Sequence, residues 1–242
     1  MARRKSSAER KKERKKQERE SKEKAKTKKV SKEAIAEKTK KQSQFANLKL
    51  FGRWSNQVEI KDPGLAPYIN LDPKIIPRSA GINQKRRFHK SKIHIVERLA
   101  LHILIPGHSG KRHRITSGIF GGAYYRALNT VEKAFEIIEK SEKTNPLEIL
   151  VRAIENASLC EEVFSYQLGS IMGRSAVITS PQRRVDKTLR YFAQGSYKSS
   201  FNKKRKIEEA LANEILNAYR KSKDSYAVSE KERIETEAEG SR

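Results

Sequence analysis

Apolar residues recur at helical spacing along much of the chain, and each recurrence predicts a helix. Ile95, Val96, Leu99 and Ile103 predict one over about 92–105, stopped by Pro106. Leu128, Val131, Phe135 and Ile138 predict a second over about 123–140. The third starts at Asn145-Pro146, a side-chain cap followed by a proline suited to the first turn, and buries Leu147, Leu150, Val151 and Ile154. A cap and proline recur at Ser180-Pro181, where a hydroxyl takes the capping role. Beyond them Val185, Leu189 and Phe192 fall in one arc, with Arg183, Lys187 and Arg190 in another about 180° away. One side of that helix packs and the other presents cations. Gly195 is expected to break it. Ile207, Leu211, Ile215 and Leu216 predict a helix over about 207–221, and Tyr226, Val228 and Ile234 anchor a short last one from Ser229.

Elsewhere the period changes. Between 162 and 179, Val163, Phe164, Tyr166, Ile171, Val177 and Ile178 suit two strands that turn near Gly169-Ser170 or Gly173. An isolated two-stranded ribbon is marginal in water, so such an arm is expected to lean on a partner. Residues 48–60 alternate like a strand interrupted at Gly52, with Trp54 read as structural, and prolines at 63, 67, 73 and 77 enforce an irregular extended passage. The pattern predicts a mainly α domain over 45–242, six helices with a protruding β-hairpin.

Residues 1–44 lie outside this pattern. They hold almost only Lys, Arg, Glu, Gln, Ser and Ala, too little apolar surface to offset the entropy of ordering, and are read as a disordered basic extension. The 242-residue chain carries a net charge of +25, and residues 1–50, with 20 Lys and Arg against 7 Glu, supply +13 of it. Self-repulsion of this size calls for a polyanionic partner. No apolar run is long enough to span a bilayer, and MARRKSSAERKK leads into no apolar region, so neither a membrane nor secretion is expected and the cytoplasm is.

Candidate chemistry points to binding. Lys85-Arg86-Arg87-Phe88-His89-Lys90 reads either as a phosphate-gripping loop or as a solvated charge run. The glycine-rich stretch 106–122 carries Lys111, Arg112 and Arg114, but its glycines have neither phosphate-loop nor dinucleotide spacing. All five histidines lie within 89–113, yet without a second cysteine beside Cys160 or a His-Glu-x-x-His they give no metal pattern. No cofactor is implied, and no nucleophile and base are spaced for catalysis. Cations on separate elements, Lys203 and Lys204 among them, with Phe88, Tyr191, Tyr197 and Phe201 interleaved, suit irregular RNA, where phosphate contacts and base stacking combine. A free-standing RNA chaperone and an RNA-modifying or RNA-cleaving enzyme are the competing readings.

Several motifs then agree in order and spacing: Ile95-Val-Glu-Arg-Leu99, Asn145-Pro-Leu-Glu-Ile-Leu-Val-Arg-Ala-Ile-Glu-Asn156, Ser180-Pro-Gln-Arg-Arg-Val-Asp186, Ser200-Phe-Asn202 and Asp224-Ser-Tyr-Ala227. From about Leu48 onward the chain closely resembles small-subunit ribosomal protein seven in its archaeal and eukaryotic form. The resemblance implies six helices with a hairpin between the third and fourth. It also implies a primary binder of small-subunit rRNA that nucleates assembly of the head, near the exit tRNA site and the messenger path. Its implied partners are head-domain rRNA and neighbouring head and platform proteins, with exit-site tRNA and mRNA close by, and no obligate homo-oligomer. Carried over by position, Gln182, Arg183 and Arg184 are the leading rRNA contacts, with Lys187 and Arg190 completing the face. Lys85, Arg86, Arg87, Arg78, Lys90 and Lys92 follow. The ribbon departs from the family, which is rich in arginine there and often opens on Pro-Arg. Here Leu159-Cys160 stands at that place and Arg174 is the lone cation from Val163 to Ser180, which shifts weight to protein contact through Phe164, Tyr166, Ile171 and Met172. The 106–122 loop is also longer than the family usually shows, and its Lys111, Arg112 and Arg114, like Arg174 on the ribbon, are read as further rRNA contacts.

Overall fold

The computed structural model describes residues 48–81, 85, 87–105 and 121–242. The expectations for residues 1–44, for Arg86 and for Lys111, Arg112 and Arg114 lie outside the described residues.

A short hairpin, β1 (Lys49–Leu50) and β2 (Trp54–Ser55), opens the fold. It turns at Phe51 and Gly52, both at positive φ, so the strand-like alternation read in the sequence gives only two-residue strands. Trp54 is structural as expected: it is buried and meets Phe135 edge to face at 5.6 Å. The proline-rich passage that follows includes a 3-10 turn at Ala66–Tyr68, and a second such turn, His89–Lys92, precedes the helices.

The helices are α1 (Ile95–Ile103), α2 (Tyr124–Glu142), α3 (Pro146–Ala157), α4 (Pro181–Ser200), α5 (Ile207–Tyr219) and α6 (Tyr226–Glu239). α5 is central and packs against α2, α3, α4 and α6. Its buried Ala210, Ala212 and Ala218 keep those approaches close, while Leu211 and Ile215 fill the space between. Asn145 caps α3 by accepting from the Leu147 N–H at 3.1 Å. Ser180 stands at the cap position of α4, but its hydroxyl makes no capping bond; its carbonyl takes the Arg184 N–H at 3.0 Å.

α1 begins at Ile95 and not near 92, because His89–Lys92 forms the 3-10 turn, and two further helix bounds differ from the sequence reading. α4 runs through Gly195 to Ser200 instead of ending there, because the glycine is a site of close approach and not a break. A Cβ on Gly195 would lie 2.8 Å from both Glu214 Cδ and Tyr226 Cβ. α6 begins at Tyr226, one turn earlier than expected, because Ser225 caps it while Glu214 of α5 accepts from both the Ser225 hydroxyl, at 2.7 Å, and the Ala227 N–H, at 3.0 Å.

Between α3 and α4 stand β3 (Glu161–Leu168) and β4 (Ile171–Ile178), antiparallel, with Leu168 opposite Ile171 and Tyr166 opposite Gly173. Gly169, at φ 61°, opens the two-residue turn with Ser170. Gly173 instead makes room for the Tyr166 ring, whose Cζ would lie 2.5 Å from a Cβ there. The base of the ribbon leans on α6: the Cys160 N–H donates to Glu235 at 2.9 Å and Arg242 pairs with Glu161 at 2.5 Å.

Candidate nucleic-acid interface

The 3-10 turn before α1 and the first two turns of α4 meet through one carboxylate. Asp186 Oδ2 accepts from Lys90 Nζ and Oδ1 from Arg98 Nη2, each at 2.7 Å. Arg98 projects from α1 with its side chain wholly buried, and its Nη1 donates to the Tyr68 carbonyl at 2.7 Å. Bonds from Lys90 and Arg98 and their positive field hold the Asp186 carboxyl below the usual aspartate range, outweighing the burial that pushes it up. Three segments distant in sequence are thereby locked around a cleft of about 490 Å³.

The cleft is lined by the cations Arg183, Lys187 and Arg190, presented by α4 because Val185, Leu189 and Phe192 occupy its buried side. Arg183 and Lys187 share an internal partner. Arg183 donates from Nε and Nη2 to Glu162 of β3, at 3.0 and 2.8 Å, and Lys187 Nζ lies 3.2 Å from the same carboxylate. These contacts draw the Glu162 carboxyl down and raise Arg183. Tyr68, Phe88 and His102 also line the cleft. Burial, reinforced by Lys90, depresses His102 to about 4, so its imidazole is neutral at physiological pH.

The candidate residues named from sequence divide accordingly. Gln182, Arg183, Lys187, Arg190 and Lys90 share the cleft. Lys85, Arg87 and Lys92 are exposed on the adjoining segment, with the Arg87 guanidinium 4.9 Å from the Phe88 ring centroid. Arg184 turns inward instead, donating to Ser158 Oγ at 3.0 Å and to Asp62 at 3.3 Å, which makes it a strut between α4 and the end of α3. Arg78 sits elsewhere, bonded to the Tyr125 hydroxyl at 2.6 Å and stacked on that ring. Lys203 and Lys204 are exposed between α4 and α5. Arg174 is exposed on β4, 4.0 Å from Glu237. Phe164, Tyr166, Ile171 and Met172 are all exposed on the ribbon. Sequence reasoning missed Asp186, Arg98 and Glu162 as anchors. The available signal was a charged residue inside an apolar stripe, Arg98 between Val96 and Leu99.

Among the described residues no group of His, Cys, Asp and Glu is placed to hold a metal ion, and no helix is long and apolar enough to cross a membrane. The described residues thus form a helical body with an exposed ribbon and a cation-lined cleft. Residues 68–242 match the family described as Ribosomal protein S7p/S5e. The chain is also 48% identical over 196 residues to the small ribosomal subunit protein uS7 of Nanoarchaeum equitans (strain Kin4-M), covering 81% of this chain and 99% of that one. The chain therefore belongs to the S7p/S5e family: it is a structural constituent of the small ribosomal subunit and not an enzyme.

Proposed function

We propose that this protein is a primary binder of small-subunit rRNA that nucleates assembly of the subunit head, close to the exit tRNA site and the messenger path. The observation that carries the rRNA role is the convergence of the 87–92 segment and the cationic side of α4 on one cleft, fixed by Asp186. Phosphates are met there by Arg183, Lys187 and Arg190, with Gln182, Lys85, Arg87, Lys90 and Lys92 extending the surface. Arg86 and the basic segments 1–44 and 111–114 add to the same electrostatic attraction, as do Arg78, Lys203 and Lys204 from neighbouring surfaces. Neighbouring head and platform proteins meet the ribbon through Phe164, Tyr166, Ile171 and Met172.

The test is a salt titration of binding to a head-domain rRNA transcript. Replacing Arg183 and Lys187 with Ala is expected to weaken binding and to flatten the log–log salt slope by about 0.9 at most for each phosphate no longer neutralised. Unchanged slope and affinity would show that this side of α4 is merely solvated. Because Glu162 is deprived of both its partners in the same variant, a thermal melt run in parallel separates weaker RNA binding from a weaker fold.

A further inference from the structure

Phe88 is placed in a way that the core does not explain. It has φ 63° and ψ 2°, the left-handed region that a bulky L-residue enters at a cost, and it keeps 58% of its surface exposed. Burial therefore returns little of that cost. Its backbone is nonetheless tied down: the Phe88 carbonyl accepts the Ser91 N–H at 3.2 Å within the 3-10 turn, and the Lys90–Asp186 bond pins that turn to α4. The result is an exposed aromatic ring lining the cleft, with the Arg87 guanidinium 4.9 Å from its centroid.

The cleft's lining combines two kinds of group: the aromatic rings of Tyr68, Phe88 and neutral His102, and the cations Lys90, Arg183, Lys187 and Arg190. The carboxylates present do not cancel the positive field: Asp186 and Glu162 stand against Lys90, Arg98, Arg183, Lys187 and Arg190, a surplus of three positive charges. The cleft's volume, about 490 Å³, falls within the range of small-molecule sites. A double-helical phosphate backbone would use the cations and leave the aromatic rings idle. An unpaired nucleotide uses both.

We propose that this cleft is a single-nucleotide site, which takes one unpaired nucleotide of the bound rRNA with its base stacked at Phe88 and its phosphate against Arg183, Lys187 and Arg190. The proposal rests on the rRNA-binding reading above and names what that surface selects: an irregular, single-stranded feature in preference to a regular helix.

The experiment uses the full chain, a head-domain rRNA transcript, and heparin as a polyanion without bases. Phe88→Leu is expected to weaken transcript binding roughly 5- to 150-fold, the range for removing one stacked base, with an unchanged salt slope. Phe88→Trp is expected to restore affinity, and its added indole fluorescence to be quenched by the transcript but not by heparin. Wild-type affinity in Phe88→Leu, or Phe88→Trp fluorescence indifferent to the transcript, overturns the proposal. If Arg183→Ala and Lys187→Ala still flatten the slope in that case, the rRNA-binding reading survives and only the nucleotide site falls. A wild-type protein that fails to bind the transcript overturns both.

Discussion

At the scale of single residues, Asp186 holds the cleft together, because each of its oxygens fixes a different segment. Its removal would leave the buried Arg98 guanidinium with the Tyr68 carbonyl and no counter-charge. Asp186→Ala is expected to destabilise the fold by about 3 kcal/mol, the cost of stripping a buried charge of its partner, seen as a lower urea midpoint. The pH dependence has a definite sign. The folded carboxyl titrates below its ordinary 3.8, so in acid the unfolded chain binds the proton first. The stabilisation is complete above 3.8 and is lost as the pH falls through the lower, folded value. In the Ala variant that part of the acid sensitivity disappears. A neutral-pH midpoint equal to wild type would show that Arg98 is satisfied without Asp186.

Among the elements, the junction of α4, α5 and α6 turns on Gly195. Helix propensity alone favours alanine there by about 1 kcal/mol. Against this, the new methyl would stand 2.8 Å from Tyr226 Cβ, which is fixed to the backbone, and from a Glu214 carboxylate committed to the start of α6. Overpacking of this kind costs about 1–3 kcal/mol, so Gly195→Ala is expected to lower the melting temperature despite its propensity gain. A raised melting temperature would mean that α6 shifts without penalty. The same residue marks the limit of sequence reading. Apolar periodicity located the six helices of the described residues and the hairpin, because each helix buries a stripe whose spacing is local. Whether a glycine ends a helix or admits a neighbour depends on Glu214 and Tyr226, which local spacing cannot supply. The candidate site was legible to a similar depth. The cations of α4 followed from helical geometry, but the Lys90–Asp186 and Arg183–Glu162 pairs join positions 96 and 21 residues apart, and periodicity carries no information about such pairs. Arg184 belongs to the packed side for the same reason: its partners Asp62 and Ser158 come from elsewhere in the chain.

The whole molecule separates two chemistries. The cleft gathers cations and aromatic rings, whereas the ribbon exposes Phe164, Leu168, Ile171 and Met172 and carries Arg174 as its one cation. Arg174 aside, such a surface holds no counter-charge for a phosphate. A neighbouring protein that buries it gains about 1.5–3 kcal/mol for each large side chain fully covered. Replacing Phe164, Ile171 and Met172 together with Ser is therefore expected to leave the melting temperature and the affinity for a head-domain rRNA transcript close to wild type, since these side chains are exposed in the free protein. The variant should instead assemble into reconstituted small subunits that retain less of one neighbouring protein, quantified by mass spectrometry of gradient-purified particles. Arg174→Ala serves as the companion measurement, because it tests the ribbon's only direct claim on RNA. If the serine variant binds the transcript more weakly, or yields particles of normal composition, the ribbon is not a protein-docking arm. If Arg174→Ala flattens the salt slope by as much as a cation of α4, the phosphate surface extends along the ribbon as well.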